Sequence, residues 1–436
     1  MRSSKTRPLA PMHALHHALD ALAAGDGETA LRHAIPALAD TDAQGSAADI
    51  VGRALALLGE DLAAVSALKR AVPWLVLQGH APHAVACAIT LGELVGGNET
   101  MHSVASAFSA DAPTGGEAAP PSLKHVDIAP LDAKRTRKQL ISAAKKALAA
   151  MQEPTGATAR TRMPLWTALP HDAFERFAAG MHVRVLAPGA ALMTEGEPGL
   201  GAFVVARGEV RVTRGTGEDE VELAVLGVGA IVGEMALVTD APRAATVTAT
   251  RGTLVLESSR DALNAAAQEV PAIGEQVLAF CHKRLVDNVL RTAALLREIP
   301  PSEREGLAAL FETRTYEPGE ALINEGDSAS GLHLLAAGSV EVCRADPDGE
   351  VLRIAALGPG SCVGEISLVM RRPATASVIA ATPTVSLVLA AEKFMAIVKS
   401  RPTLFARLYE LAVEREDETL SVLGQEAEDA DDLVMV

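Results

Sequence analysis

The segment VGEMALVTDAPRAATV, residues 232–247, sets a glycine, a carboxylate and an arginine at a spacing suited to a small anionic ligand. Gly233 carries no Cβ, so its backbone can approach a ligand closely. Glu234 is an acceptor for a sugar hydroxyl, and the amides of Met235 and Ala236, at the start of a short helix, are donors for phosphate oxygens. Arg243 supplies the opposite charge in a planar fork that fits phosphate, while Pro242, Ala244 and Ala245 keep its approach rigid and uncrowded. A ligand with both a ribose hydroxyl and a phosphate, such as a cyclic ribose phosphate, uses all of these groups.

The motif is built twice. VGEISLVMRRPATASV, residues 363–378, repeats it about 130 residues later, and the surrounding punctuation repeats with it. Pro188-Gly189 answers to Pro318-Gly319, Glu195-Gly196 to Glu325-Gly326, Gly208 to Gly338, and Gly233-Glu234 to Gly364-Glu365. Aligning Pro373 with Pro242 puts Ala374 where Arg243 stands, so the second copy lacks its phosphate partner. A hydrogen bond to a charged group contributes about 1.5–3 kcal/mol, and its loss implies about ten- to hundredfold weaker binding. Arg371 and Arg372 read as solvated loop residues, with reach into the site as the alternative. Gly364, Glu365 and Ser377 then form either a second, weaker site or a structural, partner-facing copy.

With these residues in view, the two units, from residue 165 to about 423, resemble cyclic-nucleotide-binding domains in tandem. The resemblance rests on GEMAL and PRAATV in the first cassette, supported by GEPGLGAFVVARGEVRV upstream. It implies ligand contacts from Gly233, Glu234, Arg243 and Ala244, with Thr246 lining the base side. It implies cAMP as the ligand, because cGMP-selective relatives commonly carry a hydroxyl residue where this chain has Ala244; Thr246 keeps cGMP open. A transcription factor of the catabolite-activator type would place a helix-turn-helix where the second unit lies here. Two tandem units behind an N-terminal interaction region look more like the regulatory subunit of a cAMP-dependent kinase. The linker nevertheless lacks an Arg-Arg-x-Ala or Arg-Arg-x-Ser inhibitor sequence, and KRTRKQLIS is a poor substitute. The reading is a cyclic-nucleotide-binding regulatory protein that couples ligand binding to protein interaction. A non-binding jelly-roll scaffold and a kinase regulatory subunit without a recognisable inhibitor sequence are the alternatives.

The elements that must position these residues follow from periodicity. HVRVLAPGAALMTEGE, GAFVVARGEVRVTRG and VELAVLGVGAIVGE are short apolar or alternating runs cut by glycine turns, the pattern of a β-sandwich or barrel. Upstream, small apolar residues recur at helical spacing in ALDALAAGDGETALRHAIPALA and in two later stretches, in outline the period of about 34 residues of tetratricopeptide-like hairpins. An ordinary helical bundle fits equally well. The expected class is therefore α+β and multidomain. An N-terminal all-α helical-repeat region (residues 1–103) precedes a flexible Ser-, Ala-, Pro- and Gly-rich linker (104–132) and a basic amphipathic helix with its connector (133–164). Two jelly rolls with flanking helices follow (165–297 and 298–423), then an acidic tail (424–436). The basic helix reads as a solvated face or as a docking segment for an acidic partner. The helices of 259–297 carry Val277, Phe280, Leu285, Val289 and Leu295 on a stripe that either packs or relays a ligand signal.

Composition excludes several classes. A net charge of −16 argues against a nucleic-acid surface, whose affinity comes mostly from Lys and Arg on phosphate. No run of about 18 uncharged apolar residues suggests a membrane span. Cys87, Cys281, Cys343 and Cys362 have neither zinc nor disulfide spacing, which fits a reducing cytoplasm. No P-loop, nucleophile elbow or kinase motif is present, so neither catalysis nor a cofactor is expected. No metal is expected either: His182 and His333 read as ordinary strand residues, and His13, His16 and His17 as part of a frayed N-terminal helix.

Overall fold

The computed structural model describes residues 14–97, 99–112, 128–155, 165–217, 220–237, 239, 241–292, 310–328, 330–345, 351–400, 405–406 and 408–416. The expected class holds: N-terminal helices precede two antiparallel jelly rolls. The chain divides into two compact units, one of residues 1–195, 200–237 and 245–277, the other of 196–199, 238–244 and 278–436.

The first unit begins with α1 (Ala14–Ala23), α2 (Gly27–Ala37), α3 (Gln44–Leu57), α4 (Asp61–Leu77), α5 (Ala81–Val95) and α6 (Glu99–Phe108), each packed on the next. Small residues allow the close approach of α3 and α4. A Cβ on Gly52 would lie 2.8 Å from Leu68 Cγ, and one on Gly45 would lie 3.0 Å from the Leu75 amide. A buried polar clamp adds direction to this packing. Asp49 on α3 accepts from Arg53 Nε at 3.0 Å and pairs with His83 Nε2 on α5 at 2.9 Å, while Arg53 Nη1 and Nη2 donate to Thr90 Oγ1 and the Ala86 carbonyl. Burial alone would raise the Asp49 carboxyl, but Arg53 and His83 hold it well below the usual carboxylate range.

Two expectations are corrected in this region. Residues 104–108, expected to open the linker, are helical instead, because Met101, Val104, Ala105 and Phe108 repeat at helical spacing and are all buried in α6. Ala112 is buried as well, and residues 113–127 lie outside the described residues. The N-terminal helix is packed rather than frayed over 14–23. Leu15 and Leu19 are fully covered and His16 Nδ1 meets Arg251 Nη1 at 3.3 Å; His13 lies outside the described residues. The basic segment forms α7 (Arg137–Ala150), closed by a capping box of Thr136 and Gln139, with Leu140, Ala144 and Leu148 buried against α2, α3 and α4.

The first jelly roll follows α8 (His171–Ala179) and comprises β1 (Met181–Leu186), β2 (Ala191–Met193), β3 (Gly201–Arg207), β4 (Val210–Arg214), β5 (Val221–Leu226), β6 (Ile231–Val232), β7 (Thr246–Ala249) and β8 (Thr253–Ser259). They pair antiparallel in two sheets, β1-β8-β3-β6 and β2-β7-β4-β5, around a core that includes Leu186, Phe203, Val205, Val232, Val247 and Val255. All seven residues of β3 are buried, because its second face packs on α5. This explains its almost unbroken apolar text, GAFVVAR. At the end of β3, Arg207 is buried and its guanidinium pulled down to about 10 by that burial. The helices also dock at the turn before β8, where a Cβ on Gly252 would strike the Asp20 amide nitrogen at 2.5 Å. Beyond β8 come α9 (Arg260–Glu269) and α10 (Pro271–Thr292), in which Val277, Leu285 and Val289 are buried and Phe280 half-buried; Leu295 lies outside the described residues.

The second unit repeats the roll with β9 (Glu312–Tyr316), β10 (Ala321–Ile323), β11 (Gly331–Ala337), β12 (Val340–Ala345), β13 (Val351–Leu357), β14 (Cys362–Val363), β15 (Ser377–Ala380) and β16 (Thr384–Ala390). Its sheets are β14-β11-β16-β9 and β10-β15-β12-β13. No helix among the described residues is long and apolar enough to cross a membrane.

His80, at the start of α5, is pulled by burial from 6.5 down to about 3. The folded chain therefore keeps it neutral while the unfolded chain takes up a proton below about 6.5, so stability falls with decreasing pH through that window. His80→Gln is expected to flatten this loss by up to about 1.4 kcal/mol per pH unit, read from melting midpoints between pH 7 and pH 5.

Candidate functional site

Both cassettes sit on the same backbone bracket. Gly196 N–H donates to the Arg243 carbonyl at 2.9 Å, and Arg243 N–H donates to the Glu197 carbonyl at 2.9 Å. In the second copy Gly326 N–H donates to Ala374 O at 2.8 Å, and Ala374 N–H to Asp327 O at 2.9 Å. Ala374 thus occupies the position of Arg243, as the alignment of the two prolines requires. Thr246 and Ser377 are equivalent too: their hydroxyls accept from the Glu195 and Glu325 amides, each at 3.0 Å. Both hydroxyls therefore brace the turn at Glu195-Gly196 and at Glu325-Gly326.

In the first cassette Gly233 has φ +72°, followed by a short 3-10 turn, Glu234–Leu237, in which Glu234 and Ala236 are buried and Met235 is half-buried. The turn differs from the expected helix start in one respect: the Ala236 amide is committed to the Gly233 carbonyl at 3.1 Å. Arg260, the first residue of α9, donates from Nε to the Ala236 carbonyl at 2.7 Å and so ties the turn to the helix that follows the roll. Further along, Arg243 is buried, Ala244 exposed and Thr246 half-buried.

The second cassette is braced differently. Gly364, at φ +87°, caps the helix Glu365–Met370, and a Cβ there would meet the Gly331 carbonyl at 2.7 Å. Glu365 is 2% exposed and pairs through Oε1 with Arg415 Nη1 at 2.6 Å, the same nitrogen that donates to the Cys362 carbonyl. Burial pushes the Glu365 carboxyl up, against the pull of Arg415, and lifts the Cys362 thiol to about 12. Glu365 and Arg415 border a cavity of about 130 Å³ lined also by Ile323, Val342, Leu357, Ile366 and Val378. The pair leaves the cavity without net charge from its two ionisable members, a poor setting for a phosphate. Arg371 is exposed in the left-handed region at φ +55°, as a loop residue would be, but Arg372 is engaged by Glu416 at 2.5 Å rather than solvated.

The sequence reading missed Arg260 and Arg415, which lie 17 and 172 residues beyond Arg243 with no motif around either. The first opens a helix directly after the last strand, a local cue; the second has none.

The cyclic nucleotide-binding domain family matches residues 183–270 and 313–401, one stretch in each roll. The chain carries two cyclic nucleotide-binding domains. Over 223 residues, 51% of this chain and 56% of the relative, it is 28% identical to a cAMP-dependent protein kinase type II regulatory subunit of Drosophila melanogaster. It is 30% identical over 196 residues to a cAMP-dependent protein kinase regulatory subunit of Yarrowia lipolytica, covering 44% of this chain and 48% of the relative. The chain spans about half the length of these curated relatives. The regulatory domain of Toxoplasma gondii PKA with cAMP aligns at 24% identity over 57% of this chain and 92% of its own, with a TM-score of 0.29.

Removing Arg415 leaves Glu365 buried without its counter-ion. Arg415→Ala is expected to destabilise the second domain by about 1–3 kcal/mol, seen as faster hydrogen exchange in residues 362–370 and 408–416, with the first domain unchanged.

Proposed function

We propose that the first domain is a cAMP site and that the second binds a cyclic nucleotide weakly or not at all. The observation that carries this reading is the shared backbone bracket, which presents Arg243 in one copy and Ala374 in the other. In the first domain Glu234 accepts from the ribose hydroxyl, Arg243 meets the phosphate, Met235 supplies an amide, and Gly233, Ala236, Ala244 and Thr246 shape the rest. Gly364, Glu365 and Ser377 keep the form of a site in the second domain, with Glu365 already held by Arg415. Ala244 favours cAMP over cGMP, since it offers no hydroxyl to the guanine amino group.

The protein acts by interaction rather than catalysis, as a cytoplasmic regulator whose domains run from 165 to 297 and from 298 to 423, behind a helical region and a basic helix. Within the first unit β6, which leads directly into Gly233, is bonded to β3, and β3 packs on α5. A ligand that moves the cassette therefore bears on the helical region through one buried strand, and on α9 through Arg260. For this to switch a partner, the nucleotide must favour one of two arrangements of these elements. The partner is a protein held by α1–α6 or by α7; the kinship with kinase regulatory subunits suggests a kinase catalytic subunit.

Calorimetric titration of the whole chain with cAMP and with cGMP tests the assignment. A stoichiometry near one is expected, with cAMP the tighter ligand and Arg243→Ala weakening it by about ten- to hundredfold. Two equal sites, or affinity untouched by Arg243→Ala, would overturn it.

A further inference from the structure

Two helices of the first unit bring together three donor side chains that nucleotide binding does not use. His102 lies on α6, and His171 and Glu175 stand one turn apart on α8. One nitrogen of each imidazole and one oxygen of the carboxylate lie within 4.8 Å of one another. Glu175 Oε1 is shared: it is 2.7 Å from His102 Nδ1 and 3.8 Å from His171 Nε2. The two rings meet edge to face with centroids 4.4 Å apart. A tetrahedral zinc ion with ligand distances of about 2.0–2.1 Å sets its donors roughly 3.3 Å apart, so side-chain rotations of about an ångström bring all three into place.

The backbone beneath the donors is fixed by other bonds. The Ala110 amide donates to the Leu169 carbonyl at 2.8 Å, and Asp111 Oδ2 accepts from the His171 amide at 2.9 Å. Phe108, Trp166 and Phe174 are buried below, the last two rings edge to face at 5.7 Å. Two helices held this way present their ligands without a large ordering cost, the condition a tight metal site needs. His171 Nε2 is also 3.1 Å from Ser106 Oγ and 3.3 Å from the His102 carbonyl, contacts that give way when the nitrogen turns to a metal. The His102 side chain is 69% exposed, which leaves an entry path and room for water as fourth ligand.

We propose that His102, His171 and Glu175 form a site for a divalent transition metal, zinc foremost, that pins α6 to α8. Two imidazoles and one carboxylate are a donor set for zinc rather than for calcium or magnesium, which take oxygen ligands. Each ligand must bind deprotonated, so uptake releases any protons the cluster holds. Because α8 leads through Gly180 into β1, the ion would lock the last of the N-terminal helices to the helix that opens the first cyclic nucleotide-binding domain. The proposal is independent of the nucleotide assignment.

The test uses the full chain, stripped of metal with a chelator, dialysed and titrated with zinc chloride by calorimetry. One zinc per chain is expected, with a rise in melting midpoint. His102→Ala and His171→Ala should each weaken uptake by at least about tenfold, the scale found even when groups that merely support a ligand are removed. Equal melting midpoints of wild type and variants without metal establish that both variants fold, and a His16→Ala/His17→Ala control should bind as wild type does. In the same protein Cu²⁺ should give an electron paramagnetic resonance signal split by two nitrogens. No zinc uptake by the wild type, or uptake that persists unchanged when His102, His171 and Glu175 are all replaced, would overturn the proposal.

Discussion

A pair of amide hydrogen bonds decides where the charge in each cassette can stand. The bracket formed by Gly196, Glu197 and Arg243 is repeated by Gly326, Asp327 and Ala374, and it places one side chain at an equivalent point of each roll. Backbone geometry is thus conserved between the copies while the chemistry at the fixed point is not. In the second copy the only strongly buried acid of the cassette would be left without a cation from this position. The compensation arrives from far along the chain, as Arg415 on the helical stretch 408–416. An ion pair formed there gives Glu365 Oε1 a counter-ion and at the same time neutralises the positive charge that a phosphate would seek.

The first unit depends on a second constraint, the burial of β3 on both faces. A strand covered on one side only would alternate apolar and polar residues; Gly201–Arg207 does not, because α5 covers the side that the roll leaves open. The same contact places the helix carrying His83 and Thr90 against the strand bonded to β6, and the clamp of Asp49, Arg53 and His83 ties α5 to α3. The helical region is therefore part of the mechanical surroundings of the first cassette.

Much of this was legible in the residues. The paired Gly-Glu, Pro-Gly and Glu-Gly signals located both rolls and fixed the offset that exposes Ala374, because glycines at positive φ recur where the turns recur, at Gly233 and Gly364 among others. The alternation of short apolar runs marked the strands, and small residues marked the close helix pairs. Less was legible where the partner is distant in sequence. Arg260 is marked only by opening a helix after the last strand and Arg415 by nothing local, since a distant acceptor asks only for a donor in reach. The start of the linker was misread because SADAPTGGEAAPPS dominates the composition there, whereas Val104, Ala105 and Phe108 already complete a buried helical stripe. The cluster of His102, His171 and Glu175 was invisible for the same reason: 69 residues separate its two histidines, and only the packing of α6 on α8 brings them together.

The central claim is that one cassette of the two accepts the nucleotide, and covalent mapping tests it most directly. The full chain is illuminated with 8-azido-cAMP at a concentration near half-saturation, digested, and the labelled peptides are identified by mass spectrometry. The account predicts label confined to peptides of residues 183–270 and competed away by unlabelled cAMP. Comparable, competable labelling of peptides from residues 313–401 would contradict it.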